Sequence, residues 1–402
     1  MNIAKKVFCR VYQFAFHLAL PVLPYREPKI LKDNTEIATE IKKMGLNSAF
    51  IITDEFLRKS GLTEKLEKSL EENNIKFKVY DKTRPNPTVE NVDEALRLYN
   101  YEKCECIIAF GGGSAMDCAK AMGARASYKG RSLDRLKGDL RIFRKLPPLF
   151  AIPTTAGTGS EVTVTAVITD PVKKHKYTMN SFPLIPRFAV LDPKNTYTLP
   201  KSLTATTGMD ALTHAVEAYI GNSTSKETRM LSEQVAKLVV ENIETAYNEP
   251  ENYEARANML SAAYKAGIAF SKSYVGYVHA VAHSLGGQYN VPHGLANTVL
   301  LPIVLEEYGE KVHKKLYKLA LCSGVANEKD SIKIGAEKFI KKIKELNKNM
   351  GIPETISGIK EEDIKVMAKH ADKEGNPLYP VPVLYNAKEL EKFYYKVADW
   401  SK

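Results

Sequence analysis

A chain of 402 residues is too long for one ordinary core, and two domains are expected. With 44% apolar and 26% charged residues, no internal repeat and no low-complexity tract, the composition is globular and excludes a solenoid. The formal charge of +11 would suit nucleic acid, but the basic residues are scattered.

The densest basic run, DSIKIGAEKFIKKIKELNK, sets Ile332, Ala336, Phe339, Ile343 and Leu346 at helical spacing with lysines between them, so it reads as a solvated helix face and no nucleic-acid partner is expected. Five cysteines (Cys9, Cys104, Cys106, Cys118, Cys322) form no C-x-x-C, which fits a reducing cytoplasm, the expected location.

The N-terminal stretch NIAKKVFCRVYQFAFHLALPVLP has Lys5, Lys6 and Arg10 ahead of an apolar run, superficially like a signal peptide. Gln13 and His17 interrupt the run, Pro21 and Pro24 close it, and no small-residue cleavage site follows. It is also too short to span a bilayer, so no integral membrane segment is expected. Residues 1–27 read as an amphipathic helical extension packed on its own protein or on a partner subunit, with peripheral membrane contact as the lesser alternative.

From about residue 30 the pattern alternates. TEIATEIKKMG is helical, NSAFIITD a strand, RKSGLTEKLEKSLEENN helical and IKFKVYD a strand. Helix TVENVDEALRLYNYEK, strand CIIAF, helix AMDCAKAMGA and strand PLFAIPTT follow. Such alternation predicts a parallel sheet covered on both faces. After FAVLDPKNTYTLP the strand signals stop, and nearly everything from Ser202 onward has helical spacing. The expected domains are an α/β nucleotide-binding domain over 28–199 and an all-α domain over 200–402.

In CIIAFGGGSAMDCAKAMGA a buried strand meets Gly111, Gly112 and Gly113 and then a helix, an arrangement that aims free N–H groups at an anion. It is neither G-x-G-x-x-G nor a Walker loop. Ser114 and Asp117 also fit a capping box, as do Thr158 and Glu161 in the next polar turn, IPTTAGTGSEVT. That turn offers Thr154, Thr155, Thr158, Ser160 and Thr163, and two such turns on neighbouring strands suit a pyrophosphate and ribose. Asp54 closes a strand where a carboxylate can accept from ribose hydroxyls and repel a 2′-phosphate; its alternative is a helix N-cap.

Of eight histidines, four lie between His214 and His293. GMDALTHAVEAY places Asp210 and His214 one turn apart on a helix that is otherwise apolar, and YVHAVAHSLGGQYNVPHG does the same with His279 and His283 before adding His293. Burying these groups is costly unless something binds them, and an N/O donor set without thiolate suits Fe(II) or Zn(II). Spacing leaves open which four of the five are ligands. Glu217, off the Asp210/His214 line, reads as an outward salt-bridge partner.

With these residues located, GGGSAMD, PTTAGTGSEVT, GMDALTHAVEAY and HAVAHSLGGQYNVPHGLANTVLLP resemble, in order and spacing, the iron-containing (group III) alcohol dehydrogenases, from about residue 28 to the end. The resemblance implies a dehydroquinate synthase-like fold, an α/β nucleotide-binding domain followed by an all-α metal-binding domain. It implies Asp210, His214, His279 and His293 as metal ligands, and His283 as the catalytic residue beside the nicotinamide, relaying a proton. It implies Gly112, Gly113 and Ser114 as the pyrophosphate loop, Thr154, Thr155, Thr158 and Thr163 as nucleotide contacts, and Asp54, Asn86 in PNPT and Lys176 in KKHKY as further cofactor contacts.

The implied activity is hydride transfer between NAD, rather than NADP, and a small primary alcohol or aldehyde of the butanol, propanediol or lactaldehyde kind. The cofactors are Fe(II), or Zn, acting as a Lewis acid, and NAD. A zinc polyol dehydrogenase or a dehydroquinate-synthase-like lyase is the alternative on the same scaffold, and a homodimer or higher homo-oligomer is expected. Three features depart from the family pattern: KILKDN lacks a glycine turn, the N-terminal helix is additional, and GNPLYPVP has Leu378 where relatives often carry Arg.

Overall fold

The alternation of apolar and amphipathic segments is realised in the computed structural model, which describes residues 1–19, 23–172 and 175–401. The chain opens with α1 (Ile3–Ala19) and continues through β1 (Lys29–Leu31), α2 (Glu36–Lys43), β2 (Ser48–Ile52), α3 (Glu55–Lys59), α4 (Glu64–Glu72) and β3 (Lys76–Tyr80). Then come α5 (Val89–Tyr101), β4 (Cys106–Gly111), α6 (Gly113–Ser127), β5 (Gly138–Asp139), β6 (Leu149–Pro153), β7 (Thr165–Asp170), β8 (His175–Asn180) and β9 (Phe188–Val190). From there it is helical: α7 (Lys201–Ile220), α8 (Lys226–Asn248), α9 (Tyr253–Ser273), α10 (Tyr277–Tyr289), α11 (His293–Tyr308), α12 (Glu310–Cys322), α13 (Ile332–Asn349), α14 (Glu361–Gly375) and α15 (Ala387–Val397). Two compact units result, Pro24–Leu199 and Pro200–Lys402 joined by Met1–Leu23.

In the first unit six strands form one sheet, ordered β1-β9-β6-β4-β2-β3, with every pairing parallel. Central β4 is buried along its whole length, which is why its sequence is a continuous apolar run rather than an alternation. Its side chains still point to opposite faces in turn. Ile107 and Ala109 join the core layer of Val92, Ala95 and Met122, whereas Ile108 and Phe110 join that of Ile37, Ile41, Leu66 and Leu70. Each large side chain so buried contributes about 1.5–3 kcal/mol.

Two sequence expectations need correction here. RKSGLTEKLEKSLEENN is not one helix: the chain breaks between α3 and α4 at Gly61, which adopts φ +77°, a conformation that L side chains rarely take. Between Thr155 and Phe188, where no strand was expected, β7 and β8 pair antiparallel and form a three-stranded sheet with β5.

In the second unit α7 is buried all round from Gly208 to Ile220, so the polar residues of that stretch are shut off from water. The lysine-rich α13 buries Ala336, Phe339, Ile343 and Leu346 as its stripe, while Ile332 at its start stays exposed. Helix α1 buries Cys9 and Gln13, and its Arg10 and Gln13 donate to backbone carbonyls between residues 377 and 382. Pro21, expected to close this segment, lies outside the described residues. Among the described residues, no helix is long and apolar enough to cross a membrane.

Candidate functional site

Adjacent parallel strands β2, β4 and β6 end in the same direction, so Asp54, Gly111–Gly113 and Thr154–Thr155 leave one edge of the sheet. Gly112 precedes α6, whose first N–H groups lack intrahelical acceptors. A Cβ on Gly112 would stand 3.0 Å from Thr155 Cγ2, and one on Gly113 2.8 Å from Thr158 Cγ2. The glycine turn and the threonine turn therefore interlock, and residues with side chains would force them apart. Ser114 Oγ accepts from the Asn86 N–H (3.3 Å), and Asn86 Oδ1 accepts from Lys176 Nζ (2.8 Å). Burial lowers Lys176 to about 8. The structure thus gathers Asn86, Gly112, Gly113, Ser114, Thr155, Thr158 and Lys176.

The other expected cofactor residues are placed differently. Asp54 caps α3, accepting from the Leu57 N–H at 2.9 Å through one oxygen. Thr154 is buried, its N–H donating to Gly111 O. Thr163 is also buried, and its carbonyl and hydroxyl oxygens both accept from Lys120 Nζ at 3.0 Å. Neither capping box exists. Gly112 occupies the N-cap of α6, so Ser114 lies inside the helix, and Asp117 instead accepts from Ser160 Oγ (3.2 Å). No helix follows Thr158, and Glu161 is buried, with one carboxyl oxygen unpartnered and its pKa raised by burial to about 7.

The second constellation lies in the helical unit. Asp210 and His214 come from α7, His279 from α10 and His293 from the first turn of α11. Each offers one ligand atom, and these atoms all lie within 4.8 Å of one another. Asp210, His214 and His279 are buried, while His293 is partly exposed. His214 Nδ1 and His279 Nε2 are buried without hydrogen-bond partners. Burial lowers the pKa of His214 and drives that of His279 well down, which keeps both rings neutral with lone pairs available. Buried nitrogens without partners are rare because they forfeit solvation, and a divalent cation among three imidazoles and a carboxylate would satisfy them. The residues fit a metal.

Glu217 is not the outward salt-bridge partner expected from the sequence. It is buried, and its carboxylate accepts from the backbone N–H groups of Gly276 (2.9 Å) and Val278 (2.8 Å) and lies 2.6 Å from His279 Nδ1. Those donors favour the ionised carboxyl, yet burial dominates and raises it to about 7. With Nδ1–H directed at Glu217, the lone pair of His279 sits on Nε2 and faces the cluster. A Cβ on Gly276 would lie 2.6 Å from Glu217 Oε1, so this contact requires glycine. The signal was present in the sequence: Glu217 stands seven residues after Asp210, two turns along the same stripe.

Three further supports were missed. Asn297 Nδ2 donates to Asp210 Oδ1 (2.7 Å) and lies 3.1 Å from His293 Nε2. Phe270 stacks on His214 with centroids 4.4 Å apart. Glu374, on α14, holds His283 Nδ1 at 2.6 Å and accepts from Tyr379 OH at 2.7 Å. His283 itself is outside the four-residue cluster and stacks on His293 at 5.1 Å. Its partner is 91 positions away, and no local spacing announces it.

Two family models match in succession: iron-containing alcohol dehydrogenase over residues 31–193, and the C-terminal part of the Fe-containing alcohol dehydrogenase family over 204–397. The chain is 39% identical over 340 residues to alcohol dehydrogenase 4 of Saccharomyces cerevisiae, covering 84% of this chain and 87% of that protein. It is 37% identical over 338 residues to an NAD-dependent methanol dehydrogenase of Bacillus methanolicus, with 84% and 88% covered. Among solved structures, an alcohol dehydrogenase from Oenococcus oeni superposes with a TM-score of 0.88 at 35% identity, covering 93% of this chain and 100% of that one.

Proposed function

The chain belongs to the iron-containing alcohol dehydrogenase family, and from that premise we propose that it transfers hydride between NAD and a small primary alcohol or aldehyde, with Fe(II) held by Asp210, His214, His279 and His293. The observation that carries the metal assignment is the pair of unpartnered buried nitrogens, His214 Nδ1 and His279 Nε2, within a four-residue cluster of ligand atoms. A divalent cation bound there supplies Lewis-acid polarisation of the alcohol or carbonyl oxygen.

The residues of the chain then have distinct tasks. Glu217 fixes the His279 tautomer, and Asn297 steadies the Asp210 carboxylate. The N–H groups around Gly112 and Gly113, together with Ser114, Thr155 and Thr158, hold the cofactor's pyrophosphate. Asn86 and Lys176 brace that turn through Ser114, whereas Thr154 and Thr163 shape it from inside. The cap uses one oxygen of Asp54, and the other is free to accept from a ribose hydroxyl and to repel a 2′-phosphate, which favours NAD over NADP. His283, its Nδ1 fixed by Glu374, takes the alcohol proton at Nε2 and passes it toward solvent. Five free thiols accord with a reducing cytoplasm.

Anaerobic purification with elemental analysis, followed by NADH formation from a panel of alcohols with each nicotinamide cofactor, tests this reading. Bound iron with NADH formed from short primary alcohols is the expected result. Zinc with turnover of polyols alone would favour the polyol reading, and a metal-free chain that turns over as fast as a metal-loaded one would end the metal assignment.

A further inference from the structure

Among the helices of the described residues, α1 stands apart in burying so little of its apolar face. Two of its polar residues, Arg10 and Gln13, face its own unit. Gln13 Nε2 donates to Pro377 O (3.1 Å) and Tyr379 O (2.7 Å), and Arg10 donates to Val381 O (2.7 Å) and Pro382 O (2.9 Å). Cys9 is buried beside them, and Phe16 packs edge-on against Tyr274 at 5.1 Å. The outward face is apolar. Ile3, Val7, Val11, Phe14 and Leu18 recur every three or four residues and are each more than half exposed, with Phe8 and Tyr12 beside them. At about 100° per residue these side chains sweep roughly half the circumference, and 17 residues extend it over about 25 Å. A contiguous apolar face of this extent on a folded protein marks an interaction surface.

The charges around that face select the occupant. The segment IAKKVFCRVYQFAFHLA contains Lys5, Lys6 and Arg10 and no Asp or Glu. Helical geometry sets Lys5 beyond Tyr12 on one edge of the apolar face and Lys6 beyond Ile3 on the other, where long side chains can carry their ammonium groups upward from a buried stem. Lys5 reaches Asp372 at 3.0 Å but remains 44% exposed, so this pair is a weak surface contact. A second copy of the helix would bring no Asp or Glu to meet these cations, and the chain as a whole carries +11. A surface of anionic headgroups complements them. The helix is too short to cross a bilayer, so it can only lie in the interface plane.

We propose that the outward face of α1 docks the enzyme on an anionic phospholipid surface, with Ile3, Val7, Val11, Phe14 and Leu18 seated among the upper acyl chains and Lys5 and Lys6 at the phosphates. Gln13 and Arg10 then fasten the rest of the unit to that anchor through the 377–382 loop, so docking needs no unfolding of the helix from its seat.

The test is co-sedimentation of the full chain with vesicles of phosphatidylcholine and phosphatidylglycerol, compared with vesicles of phosphatidylcholine alone. The wild type should bind the anionic vesicles, release from them as salt rises, and bind neutral vesicles weakly. The double variant Val11→Asp/Phe14→Asp should lose binding while its thermal unfolding stays near that of the wild type, because both positions are exposed. Lys6→Glu, a swing of two charges, should weaken partitioning about 30-fold, from about 1 kcal/mol per charge. A wild type that stays in the supernatant at low salt overturns the proposal. So does a double variant that binds as well as the wild type, since the chain's overall charge would then be responsible. If the double variant instead dissociates an oligomer that never bound vesicles, a second copy covers the face and the lipid proposal fails.

Discussion

Two buried clusters, one in each unit, handle charge in opposite ways. In the α/β unit, Lys120 is fully buried and its ammonium donates to Thr163 O, Thr163 Oγ1 and Thr165 O, with Asp117 and Glu161 nearby to balance it. The network carries its own cation. In the helical unit, Asp210 and Glu217 are buried beside imidazoles that burial keeps neutral, and among the described residues neither carboxylate is paired with lysine or arginine. Two ring nitrogens there have no partner. A closed network of buried charge is a brace, whereas an open one, with lone pairs converging on a point, is a receptor for a cation.

Breaking the open network should have the largest effect. His279→Ala removes an unpartnered nitrogen from the cluster and leaves Glu217 without its imidazole. Bound metal should be lost and turnover should fall by about a thousandfold or more, the several kcal/mol that a Lewis acid supplies. Elemental analysis and initial rates check this together, and retained metal with full activity would remove His279 from the ligand set. Lys120→Met breaks the closed network. Three oxygens lose their donor and two carboxyls lose their counter-charge, so unfolding in urea should show a loss of about 3–5 kcal/mol with metal content unchanged. A loss below about 1 kcal/mol would show that the lysine does not brace the unit.

Much of this contrast was legible in the sequence, for reasons that differ between the units. Asp210, His214, His279 and His293 stood out because polar residues at helical spacing interrupt apolar stripes, and the structure brings all four together. The glycine and threonine turns stood out because strand-to-helix transitions announce themselves, as Gly111–Gly113 does after CIIAF. What could not be read was pairing across long separations. Glu374 reaches His283 from 91 positions away, and Asn297 reaches Asp210 from 87. Capping boxes were over-read at Ser114 and Thr158 because Ser or Thr followed three residues later by Asp or Glu is a common local pattern, while the Asp117–Ser160 contact and the burial of Glu161 are tertiary. The pairing of β7 with β8 was missed because both strands are short and VTAVITD follows directly on a stretch that read as a polar turn, although the alternation in HKYTMN was itself a strand signal. Glu217 was misread although its spacing was informative.

That residue sharpens the comparison from the receptor side. In Glu217→Gln one amide oxygen can still accept from His279 Nδ1, but the NH₂ group must then face the N–H of Val278, and two donors repel. The His279 ring loosens without being lost. Metal affinity should fall about 10–100-fold, less than for His279→Ala, as measured by competition with a chelator. Unchanged affinity would mean that the cluster holds its geometry without its supporting carboxylate. Loading the wild type with metal should raise its unfolding free energy by about 4 kcal/mol at a thousandfold excess over Kd, and removing the metal should reverse the gain.

The smallest effect tests whether the closed network is fully closed. Burial raises Glu161 to about 7, from an ordinary value of 4.5, despite the opposing charge of Lys120. Between those values the unfolded chain has released this proton while the fold retains it, so the unfolded state binds fewer protons and stability falls as pH rises through the window, levelling above about 7. Lys120, lowered by burial to about 8 from 10.5, works in the opposite direction: the unfolded chain binds the extra proton, so stability rises with pH, and that window lies above Glu161's. Denaturant unfolding at pH 5 and at pH 7.5 should therefore show the wild type losing on the order of 2 kcal/mol relative to Glu161→Gln, which has no carboxyl to ionise. Equal losses in the two proteins would mean that Lys120 already holds Glu161 ionised across the range, and its unpartnered oxygen would then belong to a complete ion pair rather than to a residual defect in the brace.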